Sequence, residues 1–389
     1  MKNKFVEFLI YATIFLLPTY LIRFSIFGIP TNMLEILMLA VLISWIIFLK
    51  PGFREFAKFG FEKNILFCLI FIFFGLLFSV LLNKNYMTGF GIIKGWFVLP
   101  FLFSLTVAAS IPRKKRLGIF YAYYLSATTA SFLGIICFFL NKVTFDGRLE
   151  IFFNSPNYLA MYLAPGILSG LYFWKKTGRE TKKIKAIYII SFLSLLVSFY
   201  LTYSYAAWMA VIISILIVEL IKWKNKFNFS KIFAVTLIML LIFLFQWNGQ
   251  KMKAFRTLDE RSSIESRIMI WKTSVKILEN NLFWGIGPGN FQQKYLEYQK
   301  YFLPYLEWAV PHPHNLYLTF WLSGGILSFI GFLTLIFFWF QKAIKNERNS
   351  LWAVSFTIML YFLFHGLTDT TYFKNDLAVI FWLNFLLAL

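Results

Sequence analysis

The sequence predicts an all-α integral membrane protein that crosses the bilayer many times. Of its 389 residues, 59% are hydrophobic, 21% are aromatic and only 14% are charged, which lies far outside the range of soluble globular domains. A helix needs roughly 20 apolar residues to cross about 30 Å of hydrocarbon, and such runs recur from end to end. Runs such as LFCLIFIFFGLLFSVLL are apolar on every side, so helices rather than the alternating strands of a membrane barrel are predicted.

About twelve membrane-spanning helices are predicted. They cover residues 6–27, 32–49, 64–82, 89–110, 117–140, 156–174, 186–203, 205–221, 232–248, 314–340, 351–368 and 375–389. The chain is then one membrane domain over 1–389, with nine spans in 1–248, a long loop at 249–313 and three spans in 314–389. The first run lacks a small-residue cleavage site, so we interpret it as an anchor rather than a signal peptide.

The distribution of basic residues predicts the orientation. With the N-terminus inside, the inner segments hold 23 Lys and Arg residues, whereas the short outer segments hold Lys84, Lys142, Arg148 and Lys374. Positive residues near span ends stay in the cytoplasm. The loop at 249–313 holds nine basic residues, but a loop of roughly 65 residues is long enough to escape this rule. Both termini are therefore expected in the cytoplasm, and the long loop outside it.

The charge distribution disfavours a nucleic-acid partner, and the cysteines disfavour a disulfide or a metal site. Most of the net charge of +21 belongs to the cytoplasmic rim, where it is expected to contact anionic membrane lipid. No basic helix or RNA motif points to nucleic acid. Cys68 and Cys137 both fall inside predicted spans, which favours a packing role over a disulfide or a metal site.

The long loop carries two recognisable patterns before its end. Ile264, Ile268, Trp271, Val275 and Leu278 recur at three- and four-residue spacing, which predicts an amphipathic helix on the membrane surface. GIGPGN follows at 285–290. Its glycines suggest a phosphate-binding loop, but the Lys-Ser/Thr of that motif is absent, so we interpret the segment as a tight turn.

VPHPHNLYL, at 310–318, contains two of the three histidines in the chain. Pro favours the first position of a helix, so His314 is expected in the first helical turn of the tenth span. The partial positive charge of a helix N-terminus favours neutral imidazole, the form a general base needs, and also attracts phosphate. The alternative is that both histidines are polar caps at the membrane interface.

Three motifs in order resemble a known family. SRIMIW, GIGPGNF and HPHNLYL followed by SGGILS are similar to the C-terminal signature of the bacterial O-antigen ligases and related polysaccharide polymerases. Weaker similarities extend over DGRLEIFFNSPNYLAMYL (146–163), YLTYSYAAW (200–208) and HGLTDTTYF (365–373). Together they cover most of the chain from about residue 146 onward.

The resemblance implies a glycosyltransferase at the outer face of the bacterial inner membrane. The expected donor is a glycan on undecaprenyl pyrophosphate, the acceptor is a saccharide or glycolipid hydroxyl, and transfer is expected to invert the anomeric carbon without metal or cofactor. His314, with His312 and Asn315 beside it, matches the catalytic histidine of the family.

Fixed positive charge is needed where a pyrophosphate leaves without a divalent cation, and Arg suits phosphate geometry. Arg267, in SRIMIW, matches the family's loop arginine. The family commonly has a second arginine where this chain has Tyr205 in TYSY. Arg148 and Arg261 are candidates to compensate, and Lys94, near the outer end of the fourth span, is a further phosphate candidate.

Asp369, an acidic residue near the outer end of the eleventh predicted span, is a candidate for the acceptor site. His365 and Asp369 are four residues apart, one helical turn, so they are expected to pair or to contribute to an acceptor site. Asp369 lies in the family-like GLTD and is retained as the acceptor-site residue.

Three functions remain open from the sequence. An O-antigen ligase is favoured, because HPHN with SRIMIW resembles ligases more closely. A polymerase of the same family shares the loop chemistry and differs in its acceptor. A flippase or transporter of lipid-linked oligosaccharide is the alternative from another class, although no internal repeat supports it.

Overall fold

The computed structural model describes residues 2–49, 62–174, 181–222, 263–304, 306–345 and 350–388. These residues are mostly helical. The helices are α1 (Lys2–Phe15), α2 (Met33–Leu49), α3 (Lys63–Asn83), α4 (Tyr86–Ser110, with a π-helical turn at Ile93–Val98), α5 (Leu117–Phe139), α6 (Pro156–Trp174), α7 (Lys182–Leu201), α8 (Tyr205–Lys222), α9 (Ser263–Asn280), α10 (Phe291–Tyr298), α11 (Leu316–Lys345), α12 (Ser350–His365) and α13 (Asn375–Ala388).

The described helices fit a multi-pass membrane protein. Five of them, α3, α4, α5, α7 and α11, are long and apolar enough to cross a membrane, with the 3₁₀ turn before α5 counted as part of that span. Four shorter apolar helices, α2, α8, α12 and α13, accompany them. The predicted ninth span at 232–248 lies outside the described residues, so the total of twelve and the division at 248 and 313 remain predictions.

The first predicted span, 6–27, is wrong in its second half. Helix α1 ends at Phe15, and a 3₁₀ turn containing Pro18 follows at Leu17–Leu21. Strands β1 (Arg23–Ile26) and β2 (Ile29–Asn32) then form an antiparallel hairpin. Phe27 and Gly28 both have positive φ, as a two-residue hairpin turn of this hand requires. Proline cannot continue the helical hydrogen bonding, which explains the early end.

The tenth predicted span, 314–340, begins later and is broken. Helix α11 begins at Leu316 and has non-helical backbone at Gly324 and Gly325. The GIGPGN turn packs into this break, because the Ile286 amide donates to the Leu322 carbonyl at 2.7 Å. Gly325 has φ +67°, and a Cβ there would meet the Phe283 carbonyl oxygen at 1.9 Å. SGGILS therefore provides a helix break into which the preceding turn fits.

The long loop has its own small core over α11. Buried side chains from α9, α10 and the loops around them form a cluster separate from the main core. The helix predicted over 264–278 is confirmed as α9, but only part of the predicted apolar face packs, with Leu278 buried and Ile268 and Trp271 half-buried. Ile264 and Val275 are exposed, whereas Met269, Ile270 and Ile277 are buried. Placement of α9 on the membrane surface remains a prediction.

Candidate active site

His314 lies in a strained loop just before α11, not in its first turn as predicted. Its φ is +47°, a left-handed conformation that is uncommon for a residue with a Cβ. The indole of Trp271, on α9, donates to the Pro313 carbonyl at 3.1 Å. The Leu316 amide donates to the Gly366 carbonyl at 2.7 Å. Contacts from two other segments thus hold a conformation that costs about 1–3 kcal/mol, a pattern found at functional sites.

Asn315 caps α11. Its side-chain oxygen accepts hydrogen bonds from the amides of Tyr317 and Leu318, each at 3.0 Å, which is the role of an N-cap residue. Its side-chain nitrogen donates to the Leu367 carbonyl at 2.9 Å. These contacts give Asn315 a structural function beside His314.

Asp369 is the centre of the site. Only 1% of the residue is exposed, and three residues from distant parts of the chain reach its carboxylate. Oδ1 lies 3.2 Å from Nδ1 of His314, and Oδ2 lies 3.8 Å from a terminal nitrogen of Arg267. The Asn157 amide donates to Oδ2 at 3.2 Å. The structure therefore brings the predicted base, the predicted phosphate ligand and the predicted acceptor residue together.

Arg148 joins the same cluster through Asn157. A terminal nitrogen of Arg148 donates to the Asn157 side-chain oxygen at 2.7 Å, and Nε donates to the Thr202 carbonyl at 2.8 Å. Thr202 lies three residues before Tyr205, the position at which the motif resemblance led us to expect an arginine. The Arg148 guanidinium is therefore anchored on the segment that carries this departure.

His312 lies against His314. The ring centroids are 4.4 Å apart and the rings meet edge to face. Nε2 of His312 lies 2.5 Å from the Tyr158 hydroxyl, while the buried Nδ1 has no hydrogen-bond partner among the described residues. Burial, followed by the nearby His314, lowers the pKa of His312 to about 3. His312 is therefore neutral at physiological pH.

Two further candidates lie elsewhere or outside the described residues. Lys94 forms an ion pair with Glu35 at 2.7 Å and donates to the Pro30 carbonyl at 2.7 Å, and it makes no described contact with Asp369 or the arginines. Arg261 lies outside the described residues.

The expected pairing of His365 with Asp369 is wrong. Nδ1 of His365 lies 2.8 Å from the Tyr361 hydroxyl one turn earlier on α12. Helix α12 ends at His365, and the Asp369 amide still donates to the His365 carbonyl at 2.9 Å, but the two side chains contact Tyr361 and His314 instead of each other.

The electrostatic balance of the site favours an anion. Burial by itself raises the pKa of Asp369, but His314, Arg267 and His312 outweigh it and hold that pKa well below its ordinary value. Asp369 is therefore a carboxylate beside the guanidinium of Arg267, with that of Arg148 close by. Burial lowers the pKa of Arg148, which reflects the cost of keeping a buried guanidinium charged without water.

A metal ion is a possible ligand by atom type alone. Side-chain ligand atoms of His312, His314 and Asp369 lie within 4.8 Å of one another. However, Arg267 lies 3.8 Å from the one carboxylate of this group, and Arg148 is linked to it through Asn157. Coulomb repulsion from two guanidinium groups disfavours a divalent cation there and favours phosphate.

Comparison with protein families identifies the central part of the chain. Residues 190–333 match the family described as O-antigen ligase. We call residues 190–333 the O-antigen ligase segment, after the family that they match. This match confirms the resemblance drawn from the motifs, and it includes Arg267, His312 and His314. No curated protein sequence matches the chain. Arg148 lies before the O-antigen ligase segment and Asp369 lies after it, so the fold adds residues from both flanks.

Several residues of the site were missed at the level of sequence. Asn157 and Tyr158 lie in the family-like 146–163 segment, and Lys374 directly follows HGLTDTTYF. The Lys374 ammonium lies 3.1 Å from the centre of the Tyr158 ring. Their presence inside or beside family-like segments was the only available signal, because nothing in their spacing predicts these contacts.

Proposed function

We propose that this protein transfers a glycan from undecaprenyl pyrophosphate to a sugar hydroxyl at the outer face of the bacterial inner membrane, as an O-antigen ligase. One observation carries the proposal. A single buried carboxylate, Asp369, is shared by a histidine and an arginine, so a candidate base and a candidate phosphate ligand are held side by side.

His314 is the proposed general base. The carboxylate of Asp369 accepts a hydrogen bond from the Nδ1–H of His314, which fixes the tautomer and leaves Nε2 free to accept a proton. The side chain of His314 is 26% exposed, so an acceptor hydroxyl can reach it. The base removes the hydroxyl proton while the oxygen attacks the anomeric carbon. Attack from the face opposite the leaving pyrophosphate inverts that carbon.

Arg267 and Arg148 are the proposed pyrophosphate ligands. The terminal nitrogen of Arg267 is 3.8 Å from Asp369, longer than a hydrogen bond, and its buried Nε has no partner among the described residues. The side chain is 20% exposed, so its terminal nitrogens are available for phosphate oxygens, whose negative charge grows as the glycosyl bond breaks. Arg148 supplies the second guanidinium that the family usually places near Tyr205.

The test is transfer in vitro from an undecaprenyl-pyrophosphate glycan with EDTA present. We expect full activity in the wild type, a loss of about 10²–10⁴-fold in His314→Ala, and a loss of similar order in Arg267→Ala with a raised donor KM. Lys276→Met is the matched control, because Lys276 lies on the same helix as Arg267 and pairs with Glu279 at the surface.

Each result bears on a different part of the proposal. Full activity in a folded His314→Ala protein would contradict the role of His314 as base. Loss of wild-type activity in EDTA would contradict the metal-independent mechanism. Extension of the donor glycan itself, instead of transfer to a separate acceptor, would make the protein a polymerase. Lipid transport without any transfer would overturn the proposal.

A further inference from the structure

A cavity of about 180 Å³ lies beside His312. The turn at 287–289 forms part of its wall, and the rings of Tyr20, Trp96 and Phe373 line it. An engineered cavity of about 150 Å³ holds benzene, so this one has room for a single six-membered ring. Aromatic walls with few polar groups are typical of ligand sites.

The charged groups of this cavity all have one sign. Arg23 and Lys374 line it, and no Asp or Glu is among its described lining residues. Arg23, on β1, is exposed and makes no described ion pair. The cavity therefore presents two cations to its occupant.

Lys374 forms no direct ion pair within the described part of the chain, but the buried carboxylates of Asp376 and Asp369 lie near enough to interact with its charge. Its ammonium lies over the Tyr158 ring and donates to the Tyr20 hydroxyl at 3.4 Å. Burial lowers its pKa to about 8, so it remains mostly charged at pH 7. Its direct contacts are aromatic, so this partly buried ammonium is stabilised further when an anion binds beside it.

We propose that this cavity binds the acceptor sugar and that this sugar carries an acidic group, such as a carboxylate, held by Lys374 and Arg23. The inference rests on the proposed function. His312 lines the cavity and its ring contacts that of His314, so one imidazole ring separates a sugar in the cavity from the proposed base. The donor pyrophosphate is the other possible source of an anion, but Arg267 and Arg148 already serve it beside Asp369.

A binding measurement tests the proposed acceptor site independently of glycan transfer. The full chain in detergent is titrated with methyl glycosides of glucuronate, galacturonate and mannuronate, each against its neutral counterpart. We expect at least one acid to bind about tenfold more tightly than its neutral partner, and Lys374→Met to abolish that preference. Equal binding of every pair, or an unchanged preference in Lys374→Met, would overturn the inference.

Two further variants keep this test decisive. Lys300→Met is the matched control, because Lys300 also lies over a tyrosine ring, at 5.4 Å, but does not line the cavity. The preference of Lys300→Met for acidic over neutral glycosides should equal that of the wild type. Arg23→Gln, on the exposed hairpin, should weaken the preference and serves alone if Lys374→Met does not fold.

Transfer kinetics distinguish the two anion sources. In Lys374→Met we expect the KM for the acidic acceptor to rise about tenfold, with the KM for the donor unchanged. A rise in the donor KM alone would assign the cavity to pyrophosphate and overturn the inference. If the wild type transfers to neutral acceptors equally well, only this inference fails. If the wild type transfers glycan to no acceptor, the proposed function fails. The binding comparison alone then tests whether the cavity prefers an acidic sugar.

Discussion

The buried carboxylates of Glu35 and Asp369 each lie beside a cation, and they differ in how closely that cation is paired. Glu35 is 3% exposed, pairs with Lys94 at 2.7 Å and accepts from the Thr31 hydroxyl at 2.8 Å. Asp369 is 1% exposed, but its cation, Arg267, stays at 3.8 Å.

The difference separates a structural pair from a site that can bind an anion. The ammonium of Lys94 is paired with Glu35 and also donates a hydrogen bond to the Pro30 carbonyl. Few of its donors are therefore free for a ligand. Arg267 retains donors that nothing described in the chain satisfies. The sequence made both Lys94 and Arg267 phosphate candidates, and their local geometry supports only Arg267.

The largest effect that separates the two carboxylates is expected from Asp369→Asn. An amide of the same size no longer fixes the His314 tautomer or balances Arg267, so activity should fall about 10²–10⁴-fold, as when the orienting acid of a catalytic triad is neutralised. The measurement is the initial rate of transfer. Glu35→Gln, the control, should keep nearly full activity, and equal losses in both variants would remove the distinction.

Arg148→Gln is expected to act mainly on the donor. Its guanidinium contacts Asn157 and the Thr202 carbonyl instead of a carboxylate, so the change leaves no buried acid unpaired. We expect about a tenfold rise in the donor KM and a smaller fall in kcat. Steady-state kinetics over a range of donor concentration check this, and a raised acceptor KM alone would contradict the phosphate role.

Lys94→Met should affect stability and leave the rate almost unchanged. The variant leaves Glu35 buried without its cation. Removing one partner of a fully buried pair costs about 3–5 kcal/mol, and because the Lys94 side chain is 32% exposed we expect about 1–2 kcal/mol. The melting temperature in detergent should fall, with transfer per folded molecule maintained. A selective loss of donor affinity would instead return Lys94 to the active site.

His312 makes the stability of the fold depend on pH. Its pKa is lowered to about 3 from about 6.5 in an unfolded chain. The unfolded state therefore binds the proton more readily, and the stability contributed by neutral His312 is full above about pH 6.5 and is lost as the pH falls toward 3. The slope is at most about 1.4 kcal/mol per pH unit.

Thermal unfolding of wild type and His312→Gln at pH 7 and pH 5 measures this contribution. The wild-type melting temperature should fall more than that of the variant. Comparison of the two proteins removes the contribution of the other groups that titrate in this range. Parallel decreases would mean that His312 is not held neutral by the fold.

The sequence by itself determined the helical membrane character and several candidate residues of the site. Long apolar runs must form helices in hydrocarbon, because only a helix satisfies all backbone hydrogen bonds within one segment. The short motifs around Arg267 and His314 are contiguous in the sequence, so they can be recognised without the structure. Local chemistry also predicted α9 and the tight turn at 285–290.

Only the tertiary structure decided how these residues meet. Asp369 lies 55 residues after His314 and more than 200 after Asn157, and such contacts depend on how helices pack, not on spacing. The helix start at Leu316, and hence the strained backbone of His314, depends on hydrogen bonds from Trp271 and to Gly366. The aromatic contacts of Lys374, in contrast to the tight ion pair of Lys94, are likewise a property of packing that no periodicity of the sequence encodes.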